Sequence, residues 1–366
     1  MGKAAEVILY AEDPGAANFM APVAEALNQG GRQTLLWARA WAHQIFMARG
    51  LNPLPPPKEA PFWETPPRLL IVGTAEDPDT LGLRLVAEAR RAGVTSVGLV
   101  DARINAAYRF RGRADSPLAL APDWLLVPDQ TTAGDYVALG FPPEKVVACG
   151  HPHWDQVRRQ ARRWQRENRE ALRRRLLPHR PPGRKVIVFA AEISTGFTPG
   201  RFRRSPQYTL RGRGGRHERT AIVLEEVLDA LKSVRPRPWF VLRLHPKNRP
   251  EEFADYRREI DQVSQGGDPL PLLHAADLVV GLTTMLLLEA ALMGRPTLSV
   301  VPRAREKDWL PSAACGITPC AHTPAQVQSL LYRQLFQPRL PTPRQLRHHF
   351  PPGAVDNVVR LLEKLG

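Results

Sequence analysis

Short apolar runs that end in glycine or a polar loop, each followed by a helical stretch, recur along nearly the whole chain. "AEVILYA" (5–11), "RQTLLWA" (32–38), "RLLIVG" (68–73), "TSVGLV" (95–100), "DWLLV" (123–127) and "KVVACG" (145–150) form one series. Fresh runs begin at "KVIVFAAE" (185–192), "PWFVLRLHP" (238–246), "ADLVVG" (276–281) and "TLSVV" (297–301). Strands this short and apolar throughout are buried on both faces, which happens when helices cover a parallel sheet. The helices are legible between them, as in "LGLRLVAEARRAG" (81–93), "TTAGDYVALG" (131–140) and "ERTAIVLEEVLDALKSV" (218–234), with a further helix expected around 251–263. The fold class is therefore α/β, with two doubly wound halves facing each other across a crevice and ligands at the carboxyl ends of the strands.

Boundaries follow from the composition. The N-terminal domain is expected over 1–155, a basic helical linker over 156–184, a second domain over 185–340, and a C-terminal helix over 341–366 that packs back on the first domain. A length of 366 residues can supply two cores. The 43% hydrophobic content is ordinary, and no apolar run approaches the roughly 20 residues of a membrane helix. The first residues enter a strand almost at once, so no secretory leader is expected. Cys149, Cys315 and Cys320 are too few and scattered for a disulfide framework or a zinc site, which fits inert thiols in a reducing cytoplasm.

The net charge of +15 is concentrated in 156–185 and 201–219, where arginine crowds the sequence. Such a face either meets an anionic partner, such as the inner membrane leaflet, an acidic glycan or nucleic acid, or is simply solvated. No nucleic-acid recognition motif accompanies the arginines, so nucleic acid is the weakest of these partners.

The densest functional signal is "HAADLVVGLTTMLLLEAALMGRPTLSVVP" (274–302). A strand ends at Gly281, Thr283 and Thr284 form a turn able to cap a helix, and an apolar helix carries one carboxylate, Glu289. A lone acid in so apolar a helix is costly without a partner. The helix N-terminus presents N–H groups and a positive dipole end, where phosphates bind.

Three motifs carry a resemblance. "KVVACGHPHWDQV" resembles the strand and Gly-x-Pro-x-x-Asp turn that close the first domain of many GT-B glycosyltransferases and of their sugar-nucleotide epimerase relatives. "ADLVVGLTTMLLLEAALMGRPTLSV" resembles the donor-binding strand and helix of the same superfamily. "VLRLHPKNRPEEF" is similar to the His-Pro segment of bacterial sialyltransferases and CDP-glycerol glycerophosphotransferases, although the hydroxyl pair, Thr283 and Thr284, is shifted by one position from the latter's pattern.

The resemblance implies two Rossmann-like domains and a nucleotide-sugar donor used as substrate, with no cofactor or metal. Thr283 and Thr284 would hold donor phosphates, Glu289 the ribose hydroxyls, and His245, with Lys247 beside it, the phosphate of the leaving group. Glu192, Ser194 and Thr195 follow the first strand of the second domain and either face the donor or form a plain polar loop. A base for an acceptor hydroxyl is expected in the first domain's strand-end loops, at Asp13 or Glu12, with Asp101 competing. Gly15 and Asn18 belong to the small "PGAAN" turn that lets a ligand approach the backbone. His151 and His153 are read as packing residues at the domain hinge.

The leading function is a metal-independent glycosyltransferase that moves a sugar to a bacterial surface glycan or lipid-linked acceptor, held by its basic face at the inner membrane. The alternatives are a sugar-nucleotide 2-epimerase or hydrolase, whose convergent acids would come from Glu12, Asp13, Asp101 and Glu192, and a non-catalytic protein that binds anionic polymer.

Overall fold

The structure is a computed structural model that describes residues 5–75, 77–164, 166–193, 195–196 and 198–365. It contains two six-stranded sheets in which every strand pairing is parallel. By internal contacts the chain divides into unit 1, Met1–Gln156 with Pro351–Gly366, and unit 2, Val157–Phe350.

Unit 1 holds β1 (Val7–Ala11), β2 (Thr34–Ala38), β3 (Leu69–Gly73), β4 (Thr95–Leu99), β5 (Trp124–Val127) and β6 (Val146–Ala148), in the order β2-β1-β3-β4-β5-β6. Because β1 is flanked by β2 on one side and β3 on the other, the direction of winding reverses between β1 and β3. Close packing is built in there: a Cβ on Gly73 would lie 2.5 Å from the Cβ of Ala16 in helix Pro14–Gln29.

The last helix, Ala354–Leu365, buries Val358 and Leu362 in the same core as Phe19, Met20 and Leu27. Asp155 ties it down, accepting hydrogen bonds from the N–H groups of Gly353 (3.1 and 3.2 Å) and Val355 (3.3 Å). A carboxylate at the start of a helix satisfies its open N–H groups and its dipole. The acid of the Gly-x-Pro-x-x-Asp turn thus caps a helix about two hundred residues further along the chain.

Unit 2 holds β7 (Val186–Ala190), β8 (Trp239–Arg243), β9 (Gln262–Ser264), β10 (Leu278–Gly281), β11 (Thr297–Val300) and β12 (Cys320–Ala321), ordered β12-β11-β10-β7-β8-β9. Its reversal lies between β7 and β10. One expectation is corrected here. The segment expected as a helix around 251–263 is a 3-10 turn, Pro250–Tyr256, followed by β9. Phe253 departs from helical geometry (φ −116°, ψ 15°), and the Asp261 carboxylate accepts the N–H of Phe240 at 2.8 Å and a guanidinium hydrogen bond from Arg237, which fixes the segment beside β8.

The segment 156–184 expected as a linker folds onto unit 2. Asp277, just before β10, forms an ion pair with Arg173 at 2.7 Å and accepts a hydrogen bond from Arg169, and Arg180 pairs with Glu170. The final segment does not stay together either, since helix Pro343–His349 counts with unit 2 and Ala354–Leu365 with unit 1. No helix among the described residues is long and apolar enough to cross a membrane.

Candidate functional site

At the carboxyl edge of unit 2, the half-buried Glu192 and three buried residues, Arg219, Glu306 and Arg303, form a chain of ion pairs. Glu192, two residues past β7, accepts Arg219 Nη1 on Oε2 at 2.6 Å. Arg219 Nε in turn donates to Glu306 Oε2 at 2.7 Å, and Glu306 Oε1 pairs with Arg303. Glu306 is fully buried and Arg219 is 1% exposed. Burial works against a charged Arg219, but the two carboxylates more than offset it and raise its pKa. Trp309 closes one side, with the guanidinium carbons of Arg201, Arg219 and Arg303 lying 4.6, 5.5 and 5.7 Å from its ring centre.

Thr283 joins this network. Its N–H donates to Glu192 Oε1, and its hydroxyl lies 3.2 Å from both Glu192 oxygens. Thr284 caps helix Met285–Leu292, its hydroxyl accepting the N–H of Leu286 at 3.3 Å. Glycine is needed at Gly281, where a Cβ would meet Thr284 Cγ2 at 2.9 Å. Glu289 is 4% exposed on that helix.

His245 follows β8 in a turn of its own. Its N–H donates to Asn248 Oδ1 at 3.1 Å, and its Nδ1 accepts the N–H of Lys247, also at 3.1 Å. With Nδ1 accepting, the neutral ring carries its proton on Nε2. Asn248 also donates to the Glu192 carbonyl at 3.4 Å, joining the β7 and β8 loops. The Lys247 and Thr195 side chains are exposed, and Ser194 lies outside the described residues.

Unit 1 carries its own cluster. Asp101, two residues past β4, accepts from Arg109 at 2.9 Å, from the Thr74 hydroxyl at 3.2 Å, and Arg109 also donates to Thr74. A Cβ on Gly15 would lie 1.9 Å from Asp101 Oδ2, so the carboxylate rests on the first turn of helix Pro14–Gln29. Glu12 accepts a short hydrogen bond from Tyr10, whose pKa is raised by burial and then by the Glu12 charge. Asp13 stands at the N-cap without a side-chain cap bond. Asn18 Oδ1 accepts from Arg49 at 3.0 Å, and the same guanidinium nitrogen lies 3.3 Å from His153 Nδ1. His151 stacks on Trp154, with ring centres 5.1 Å apart.

Sequence reasoning missed Arg219, Arg303, Glu306 and Trp309 in unit 2, and Tyr10, Thr74 and Arg109 in unit 1. Arg219 closes an arginine-rich tract expected to form a basic face, and much of that tract is neutralised internally. Arg213 pairs with Asp229 and Glu259, Arg216 with Asp255 and Arg203 with Glu218. Each of these partners lies too far along the chain for local charge counting to find. Burial also raises the Cys149 thiol to about 12, where it is not nucleophilic. Among the described residues no group of acids, histidines and cysteines is placed to hold a metal ion.

No protein-family model matches the chain, and no curated protein matches it in sequence. Solved structures do match its architecture. The UDP-GlcNAc 2-epimerase of Neisseria meningitidis, solved with UDP-GlcNAc, aligns with a TM-score of 0.68 over 98% of this chain and 99% of its own, at 13% identity. The chain has the GT-B-like fold. The UDP-GlcNAc 2-epimerase of Methanocaldococcus jannaschii aligns at 0.66 over 98% and 99% of the two chains, with 12% identity. The wall teichoic acid polymerase TagF aligns at 0.56 over 98% and 88%, with 13% identity. At such identities the likeness is one of fold, and the GT-B-like units here carry their own side chains at the strand ends.

Proposed function

We propose that this chain is an enzyme acting on a uridine-diphosphate sugar, of the 2-epimerase or hydrolase type. The observation that carries this reading is the Asp101 cluster: a carboxylate at the carboxyl edge of unit 1, held by Arg109 and Thr74 and seated on a glycine. Inversion at C2 of a sugar breaks and remakes a C–H bond, which requires a positioned acid and base. Asp101 and Glu12 are assigned these proton transfers. Departure of the diphosphate from C1 needs preorganised donors. His245, with its proton on Nε2, and the strand-end groups at Thr283 and Thr284 are assigned to the phosphates, and Glu289 to the ribose. UDP-GlcNAc 2-epimerases of like fold, solved with UDP-GlcNAc or UDP, support uracil as the base.

The test is incubation with UDP-N-acetylglucosamine and no acceptor, followed by NMR. A C2 epimer or free UDP supports the reading, and an unchanged substrate sinks it. His245→Ala and Glu289→Ala should each weaken nucleotide binding or turnover.

A second reading is a glycosyltransferase acting on a surface-glycan acceptor, supported by the His245-Pro246 turn and by the fold shared with a teichoic acid polymerase. UDP release that appears only when glycan acceptor is added would favour it. The exposed arginines Arg159, Arg162, Arg163 and Arg166 would then be the face toward an anionic membrane, checked by sedimentation with phosphatidylglycerol vesicles.

A further inference from the structure

Glu192 occupies a position built for an anion. One main-chain N–H and one hydroxyl, both from Thr283, and one guanidinium, from Arg219, converge on its two oxygens. That donor set holds phosphate oxygens as readily as a carboxylate. It stands where the winding of the sheet reverses, between β7 and β10, the place at which doubly wound sheets bind ligands.

The charges balance without any ligand. Two cations, Arg219 and Arg303, face two carboxylates, Glu192 and Glu306. Their enclosure differs. Glu306 is fully enclosed and bound by both arginines, whereas the Glu192 side chain is 14% exposed. If Glu192 turns out to solvent, Arg219 keeps Glu306 and offers Nη1, and an arriving phosphate oxygen restores the balance.

We propose that Glu192 is a stand-in for the anionic group of the ligand, and that a diphosphate takes over the Thr283 N–H, its hydroxyl and Arg219 when this carboxylate leaves. The diphosphate as ligand rests on the reading of the protein as a nucleotide-sugar enzyme; the anion site does not. Glu192 then lowers affinity for every anion that competes with it, and its removal tightens binding, the opposite of what loss of an ordinary contact residue does.

Isothermal titration of UDP and of inorganic pyrophosphate into the wild-type protein, Glu192→Gln and Glu192→Ala tests this, with thermal unfolding to confirm that the variants fold. Pyrophosphate is expected to bind at least about tenfold tighter to both variants, since a like charge no longer holds the site. If the alanine variant does not fold, the glutamine variant, similar in size and still able to accept from Thr283, carries the test. Unchanged, weaker or absent pyrophosphate binding in a folded variant overturns the inference. Tightened pyrophosphate binding with no preference for UDP keeps it while removing the nucleotide reading. Wild-type UDP binding that the variants leave unchanged does the reverse.

Discussion

Asp101 rests on Gly15 so closely that a single methyl group there would meet its Oδ2 at 1.9 Å. The atom in the way is the end of a side chain that can rotate, so the clash is relieved by moving the carboxylate and not the backbone. Gly15→Ala should therefore leave the fold intact and displace Asp101 from Thr74 and Arg109. Turnover of the sugar nucleotide should fall about 100-fold or more, as when a catalytic group is mispositioned, with the melting temperature within a few degrees of wild type. Asp101→Asn should match it in turnover. An alanine variant with full activity would remove Asp101 from the chemistry.

The buried pair Arg219–Glu306 should weigh heavily on stability. Glu306→Gln leaves two arginines facing one remaining carboxylate in a region closed to water. Breaking a buried pair on one side costs about 3–5 kcal/mol. Urea unfolding followed by fluorescence should show that loss in unit 2, and a loss under 1 kcal/mol would mean that the network relaxes or admits water.

Asp155→Ala should loosen the C-terminal helix. The acid accepts from Gly353 and Val355, and its removal leaves those N–H groups without their cap. A cost of about 1–2 kcal/mol is expected. Hydrogen exchange should rise over Ala354–Leu365 and stay unchanged in unit 2; uniform protection in the variant would show that the core contacts of Val358 and Leu362 suffice.

Burial, with His153 and Arg49 beside it, holds the His151 imidazole well below the ordinary histidine range. The folded chain thus takes up this proton less readily than the unfolded chain. The stability that neutral His151 permits is complete above the unfolded value of about 6.5 and is lost as pH falls below it, by up to about 1.4 kcal/mol per pH unit. His151→Phe keeps a ring against Trp154 and Phe19 and removes the titration. Between pH 7.5 and 5.5 its urea midpoint should move less than that of wild type; equal shifts in the two proteins would show that His151 is protonated in the fold.

Much of the fold is legible because its signals are local. Gly281, the Thr284 cap, the apolar stretch to Leu292 and the left-handed Gly294 (φ +69°) lie next to one another in sequence, and each acts through its neighbours. The same holds for Gly93, also left-handed, which ends helix Leu81–Ala92. No α-helix forms over 251–263 because the hold of Asp261 on β8 overrides local preference there. Each strand-end cluster was half legible: Glu12 and Asp101 in unit 1, and Glu192, Thr283 and His245 in unit 2, are recognisable as strand-end polar residues, but their partners are not.

The sequence by itself determines the alternation of strand and helix, the parallel class of both sheets and where the strands end. These depend on periodicity and on glycine and proline, which need no distant partner. Only the tertiary structure decides that Arg219 is a buried hub and not one more surface arginine, that Asp155 caps the final helix, and that Gly15 makes room for Asp101. Each depends on groups brought together from far apart in the chain, 87 residues for Arg219 and Glu306. Strand order sets which loops meet, and charge has no period from which that order can be read.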